Sequence, residues 1–213
     1  MVTTDPQIPT KHGAEALLDA AEQLFLERGY ANVSMQQIAE AAGFTKGATY
    51  YHFQSKEDLY LAVSKRLITN LRDQLLAPFD EPGTFEEQLR KSIRAVRGAF
   101  GGNMQRWWSD AAVVISDQAK ATFIVDTLGV ADPSQILTPV FRRAQEQGVI
   151  RNVSPEAAAR IYTGLVTAGL DHEKRRWLPN DHAEQEDERA IDEIVTVFLH
   201  GVQGVPPDAS NRQ

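Results

Sequence analysis

Apolar residues recur three and four positions apart from Ala14 to Val202, and no stretch alternates as a half-buried strand would. The chain therefore reads as all-α. Ala14, Leu17, Leu18, Ala21, Leu24 and Phe25 stand at 0, +3, +4, +7, +10 and +11, and Gly29 ends that helix from the C′ position. Met35, Ile38, Ala39 and Ala42 give a second, short helix one apolar face. Ser34 before it and Gln37 three residues on form a capping box that starts it near Met35. Gly43 supplies a sharp turn, Phe44 plugs the corner, and Thr45 caps a third helix that runs to Phe53. Ser55, with Asp58 at the third position, caps a long helix whose Tyr60, Val63, Leu67, Leu71 and Leu75 share one side until Pro78 stops it.

After the linker FDEPG, Thr84 and Glu87 make another capping box, and Phe85, Leu89, Ile93, Val96 and Phe100 mark a helix that ends at Gly101-Gly102. Asn103 caps the next, with Met104, Trp107, Trp108, Ala111, Ala112 and Ile115 on one face. A helix from Asp117 to Leu128 follows, then one through Ile136, Val140, Phe141 and Ala144 that ends at Gly148. Ser154-Pro155 is an N-cap with proline at N1, and behind it Ala158, Ile161, Tyr162, Leu165, Val166 and Gly169 share a face. Ile191, Ile194, Val195, Phe198, Leu199 and Val202 repeat that spacing near the end. On periodicity alone these two faces serve either a two-fold four-helix bundle between subunits or the monomer's own core. Gly164, Ala168 and Gly169 permit close backbone approach.

The second and third helices carry the most specific chemistry. A buried first helix, a glycine turn, and a second helix with donors on its open face are what a helix-turn-helix needs to enter a major groove. Gly47 and Ala48 leave the front of the third helix bare, so its backbone can approach a base edge or a thymine methyl. Thr49, Tyr50, Tyr51 and His52 offer hydroxyl and imidazole donors to phosphates, and the tyrosine rings can pack on sugars. Lys46 and Lys56 flank the helix, Thr45 opens it, Ser34 and Gln36 stand at the start of its partner, and residues 41–56 contain no Asp or Glu. Four such side chains in a row would also suit ordinary surface and core. The glycine turn and the missing acids tip the reading to DNA.

Residues 14–63 resemble the amino-terminal domain of the TetR family of transcriptional regulators. The likeness rests on A-x-x-L-F-x-x-x-G-Y from Ala21, I-A-x-x-A-G from Ile38, and K-G-x-x-Y-x-H-F-x-S-K-E-x-L from Lys46. Each run is weak singly and specific in combination. Family members usually carry Leu where this chain has Thr49, so the packing beneath the third helix is expected to differ. The resemblance implies pairing through the last two helices, which favours the two-fold bundle over the monomer core. It also implies a small-molecule pocket in the carboxy-terminal helices and an effector that moves the Lys56–Leu76 helix. Phe100, Met104, Trp107, Trp108, Phe123, Phe141, Tyr162 and Trp177 are its candidate lining, with Asp110, Gln118 or His172 for polar contacts. The plain alternative for each aromatic is core.

Composition adds bounds. The 213 residues suffice for one or two domains, with an arm over 1–12, a helix-turn-helix domain over 13–55, a regulatory and dimerisation domain over 56–203 and a tail over 204–213. No run approaches a membrane span, the first residues lack a signal-peptide layout, and the absence of cysteine removes disulfides and thiolate chemistry, so cytoplasm is the expected compartment. No dinucleotide, phosphate-loop, nucleophile-elbow or zinc-protease motif occurs, so neither enzyme, cofactor nor metal is expected. The net charge of −7 runs against DNA binding, and residues 1–60 hold four Lys or Arg against eight Asp or Glu. Five of those acids fall between 15 and 40, on helices behind the reading surface, so modest non-specific affinity and dependence on a dimer are expected. The reading is a dimeric, effector-released regulator, a repressor on a palindromic operator. The alternative is a helical ligand- or partner-binding protein without DNA binding.

Overall fold

A computed structural model describes residues 10–99, 107, 109, 110, 114, 117–129, 132–169 and 180–203. Among them are nine α-helices and no strand. They are α1 (Thr10–Arg28), α2 (Met35–Ala41), α3 (Lys46–His52), α4 (Lys56–Leu76), α5 (Phe85–Ala99), α6 (Asp117–Leu128), α7 (Thr138–Glu146), α8 (Pro155–Gly169) and α9 (Asn180–Gln203). Short 3-10 turns cover Tyr30–Asn32, Ala77–Asp80 and Pro133–Leu137. The stretch read as an arm contributes its last three residues to α1. The chain forms two compact units, Met1–Thr69 with Gly102–Ala121, and Asn70–Gly101 with Thr122–Gln213. Trp107 and Asp110, in the stretch assigned from sequence to the regulatory domain, contact Tyr60 and Tyr30 of the head.

In the first unit the predicted local signals set the helix ends. Gly29 closes α1 at φ +80°, its amide bonded to the Phe25 carbonyl at 2.8 Å. Ser34 and Gln37 cap each other reciprocally at the start of α2. Gly43, at φ +75°, makes the turn into α3, which Thr45 caps by accepting the Ala48 amide. Leu17, Ala21 and Phe25 of α1 are buried with Ile38 and Ala39 of α2, Phe53, and Leu59, Tyr60 and Val63 of α4. Ile68 is buried where the predicted stripe has the half-buried Leu67, a small rotation of the helix face. An aromatic group closes this core. Trp107 stacks on Tyr60 at 4.4 Å between centroids, with Phe25 edge-on to both.

The core of the second unit is built by α5, α7, α8 and α9. Leu89 and Ile93 of α5 meet Val140, Phe141 and Ala144 of α7, Ala158 and Tyr162 of α8, and Val195 and Phe198 of α9. Phe141, Tyr162 and Phe198 contact one another with centroids 5.2–5.7 Å apart. The buried Tyr162 hydroxyl donates to the Leu89 carbonyl at 3.1 Å. This corrects the assignment of the last two apolar faces. Ala158, Tyr162, Ile191, Ile194, Val195, Phe198 and Leu199 close the monomer's own core rather than waiting for a partner. The physical reason is α7: a short helix carrying Phe141 needs covering, and a periodic stripe cannot say what covers it. Ile161 is 44% exposed, Leu165 is half-buried, and for Gly169 and Val202 only the helical backbone is described.

On the outside, α9 is tied to α5 by charge. Arg94 meets Glu188 through two hydrogen bonds of 2.9 and 2.6 Å, and Arg90 pairs with Asp192 and Glu86. The Arg94 hydrogen bonds hold the Glu188 carboxyl below the usual carboxylate range. A depressed carboxylate adds stability above its unfolded pKa, and that stability goes as pH falls through the folded value. Unfolding free energy of wild type and Glu188→Gln should therefore differ near neutral pH and converge below about pH 4. The gap should be under ~1 kcal/mol, because the pair is nearly half exposed to screening water. Urea unfolding at a series of pH values reads it.

Candidate nucleic-acid interface

The face of α3 that is open to water is narrower than the sequence suggests. Lys46, Gly47, Tyr50 and Tyr51 are exposed, with Tyr51 at 78% and Tyr50 at 44%. Nothing stands within 4 Å of where a Cβ on Gly47 would be, so the front of the helix is bare, as a close approach to a groove requires. The Lys46 ammonium lies 6.0 Å from the Tyr50 ring centroid. Ala48 is half-buried, and Thr45 spends its hydroxyl on the cap.

Thr49 requires a correction. It is fully buried, and its hydroxyl donates back to the Thr45 carbonyl at 3.1 Å. With α3 packed on α1 and α2, position 49 is the one that points inward, so its hydroxyl satisfies itself locally and is not offered to phosphate. His52 is half-buried, edge-on to Phe44 and Tyr51. Its Nε2 sits 2.8 Å from where a Cβ on Gly13 would be, so a side chain there would push the ring from this position.

Lys56 is also placed differently. Its ammonium donates to the carbonyls of Tyr30 and Val33, both at 2.9 Å, and lies 4.1 Å from the Tyr30 ring centroid. Two of its three donors are thereby taken, and burial lowers its pKa. It braces the turn into α2 more than it faces a groove. On α2, Ser34 and Gln36 are exposed, Ser34 engaged in its capping box and Gln36 bonded to Glu40 at 2.7 Å.

The acidic head is answered by a residue beyond the stretch whose charges were counted. Arg66 of α4 pairs with Glu15, Asp19 and Glu22, three acids spaced along one face of α1. Burial would lower its pKa, but the hydrogen bonds it donates to Glu22 and Asp19 outweigh that and raise it. Charge counting by segment missed this, although acids at 15, 19 and 22 already mark a single face.

The described residues predicted for a ligand pocket do not gather in one place. Trp107 belongs to the first unit's core, its indole N–H donating to the Ser64 hydroxyl at 3.1 Å. Asp110 accepts the Tyr30 amide at 2.8 Å. Phe141 and Tyr162 are core residues of the second unit, and Phe123 is half-buried. Phe100, Met104, Trp108, His172 and Trp177 lie outside the described residues, as does the Gln118 side chain. A cleft of about 590 Å³ opens instead beside α7, with Leu76, Ile136, Pro139 and Val140 as walls and Arg142 and Arg143 among its polar groups. Among the described residues no cluster of acids and histidines could hold a metal, and no helix is long and apolar enough to cross a membrane.

Comparison with known proteins accords with this geometry. The family profile described as "Bacterial regulatory proteins, tetR family" matches residues 17–63, and that of the "AefR-like transcriptional repressor, C-terminal domain" matches 124–201. The transcriptional activator FasR of Mycolicibacterium smegmatis is 30% identical over 206 residues, which cover 94% of this chain and 87% of FasR. The transcriptional repressor BepR of Brucella suis is 43% identical over 88 residues, covering 40% of this chain and 42% of BepR. The structure of AibR in complex with isovaleryl coenzyme A and operator DNA superposes with a TM-score of 0.58 at 25% identity, covering 88% of this chain and 98% of AibR. With a glycine-fronted helix-turn-helix ahead of a helical second unit, the chain belongs to the TetR family of DNA-binding transcriptional regulators.

Proposed function

We propose that this regulator binds a palindromic operator as a homodimer, each subunit presenting α3 to a major groove, and that a small-molecule effector releases it. The observation that carries the reading is the open face of α3, where Lys46, Tyr50 and Tyr51 surround a bare Gly47. Two-fold symmetry calls for half-sites about 34–36 Å apart, or a multiple of that. A response to a small molecule is supported by the AibR likeness, whose structure holds both isovaleryl coenzyme A and operator DNA. Release is a population shift: an effector must prefer the DNA-incompetent arrangement by about 5.5 kcal/mol to turn 1:99 into 99:1.

Dimerisation would use what the monomer core leaves over. Val197 of α9 is 59% exposed, and Ile161, Gly164 and Gly201 are exposed with it. No atom stands within 4 Å of a Cβ built on Gly164 or Gly201, which leaves room for close backbone approach by a second copy.

The sign of regulation we read as repression, because the carboxy-terminal half matches the profile of a repressor domain. Activation is the second reading, favoured by the likeness to FasR along nearly the whole chain. A reporter behind the chain's own promoter separates them: deletion of the regulator should raise expression, and a fall would establish activation.

Binding to the chain's own upstream region, followed by fluorescence anisotropy at low salt, tests the interface. Tyr51→Ala should weaken it about tenfold, in the range of one lost polar contact to a charged phosphate. Thr49→Val, a change at a buried position, should leave affinity within about threefold. Equal losses for the two would place the contact surface elsewhere. In sedimentation, Val197→Glu should move the chain from twice its 23.7 kDa mass to the single mass, with operator affinity falling alongside.

A further inference from the structure

The turn between α1 and α2 is held by groups far away in the chain. Gly29 leaves α1 in the left-handed region, and no side chain caps the 3-10 turn that follows it from the residue before. The Tyr30 amide donates instead to the Asp110 carboxylate, 80 residues on, at 2.8 Å. The carbonyls of Tyr30 and Val33 accept from Lys56. The turn's donor is therefore met by an anion and its acceptors by a cation. Its ring is packed between Phe25, at 5.7 Å, and Tyr60, at 5.0 Å.

Asp110 is itself firmly seated. Trp107, three residues before it, stacks on Tyr60 with planes 10° apart. The Trp107 indole donates to Ser64, and the Trp107 carbonyl accepts the Tyr60 hydroxyl at 2.8 Å. Three contacts thus fix the piece of backbone from which the carboxylate reaches the turn. The sequence offers Asp110 as a contact for a small molecule, yet its oxygen is engaged by the main chain of the head.

We propose that Asp110 is a positioning residue for DNA binding: it caps the Tyr30 amide from a distance and so fixes the turn from which α2 is launched. The role rests on the DNA-binding reading above. Val33 ends the turn and Ser34 caps α2 directly after it. A slackened turn therefore changes the direction in which α2, and the α3 packed on it, meet a duplex. Loss of a charge-assisted, part-buried hydrogen bond leaves the amide without its partner, and no side chain of the preceding residue is placed to replace it.

The test uses the full chain with Asp110→Ala and Asp110→Asn, in hydrogen–deuterium exchange and in titration with a duplex of its own upstream region. Exchange at amides 30–36 should rise at least about tenfold in Asp110→Ala, while amides 89–96 in the second unit stay as in wild type. Duplex affinity should fall about tenfold, with an unchanged slope of log K against log salt, since no phosphate contact is removed. Asp110→Asn, which keeps the shape and an uncharged acceptor, should fall between, and it answers the question alone if the alanine variant does not fold. Unchanged exchange at 30–36 overturns the proposal. So does unchanged affinity in a variant whose exchange has risen, or a rise spread equally over both units. If the wild-type chain binds no such duplex at low salt, the DNA-binding reading falls and this role with it, while exchange still decides whether Asp110 fixes the turn.

Discussion

A glycine at positive φ ends α1, and everything about the reading head follows from how the chain is caught after it. Leaving a helix that way turns the next backbone groups off the helix axis, where the i→i−4 ladder cannot satisfy them. Lys56 meets the two carbonyls, and its ammonium lies over the Tyr30 ring. Because Lys56 is also the first residue of α4, one side chain joins the end of α1, the entry to α2 and the start of α4. That economy explains why a lysine stands there although its charge is poorly placed for a groove. Arginine would bring a flat fork to a site that needs a compact donor under two carbonyls.

Charge in this head is arranged by face. Glu15, Asp19 and Glu22 of α1 are gathered on Arg66, Glu27 accepts from Gln23, Asp58 at the start of α4 caps the Gln54 amide, and Glu40 accepts from Gln36. What is left on α3 is one lysine and neutral hydroxyls on a helix without an acid. An anionic protein can present such a surface to an anionic polymer, because the repelling charges lie on other helices, three of them paired with Arg66, and are screened within about 8–10 Å. The cost is a weak sequence-independent attraction. Few cations face the duplex, so affinity must come from fit, from hydrogen bonds by hydroxyls and main chain and, in the proposed dimer, from the doubling that a second subunit would bring.

The parts of this architecture that were legible in the sequence are those fixed within a few residues. The Ser34–Gln37 box, the Thr45 cap, the glycines at 29 and 43 and the proline at 155 each act on neighbours in the chain, so their spacing is the whole signal. What could not be read is allocation. Periodicity shows that α8 and α9 each have an apolar face, but α7 decides that the monomer fills it, with Phe141 lodged against Tyr162 and Phe198. Thr49 illustrates the same limit at the candidate site. Its hydroxyl looks like a donor for phosphate until the packing of α3 on α1 and α2 turns it inward. Trp107 and Asp110 illustrate it over the longest range, since no local rule places residue 110 beside the amide of residue 30.

Allocation also bears on how two copies could meet. Once the broad stripes of α8 and α9 are spent inside, the apolar part of the surface left on them is Gly164, Ala168 and Gly201 with two branched residues, Ile161 and Val197, among charged neighbours such as Arg160, Asp192 and Glu193. A surface of that kind has little apolar area to bury per residue, and its advantage is proximity: glycine and alanine let helices approach until many weak dispersion contacts sum. An association built this way is sensitive to a single charge or bulky side chain, because every contact depends on the same short spacing. It also transmits small rotations, since helices packed through their backbones have no flexible side chains between them to absorb the change. In the proposed dimer, where an effector would alter the separation of the two α3 helices, an interface with those properties would be an advantage.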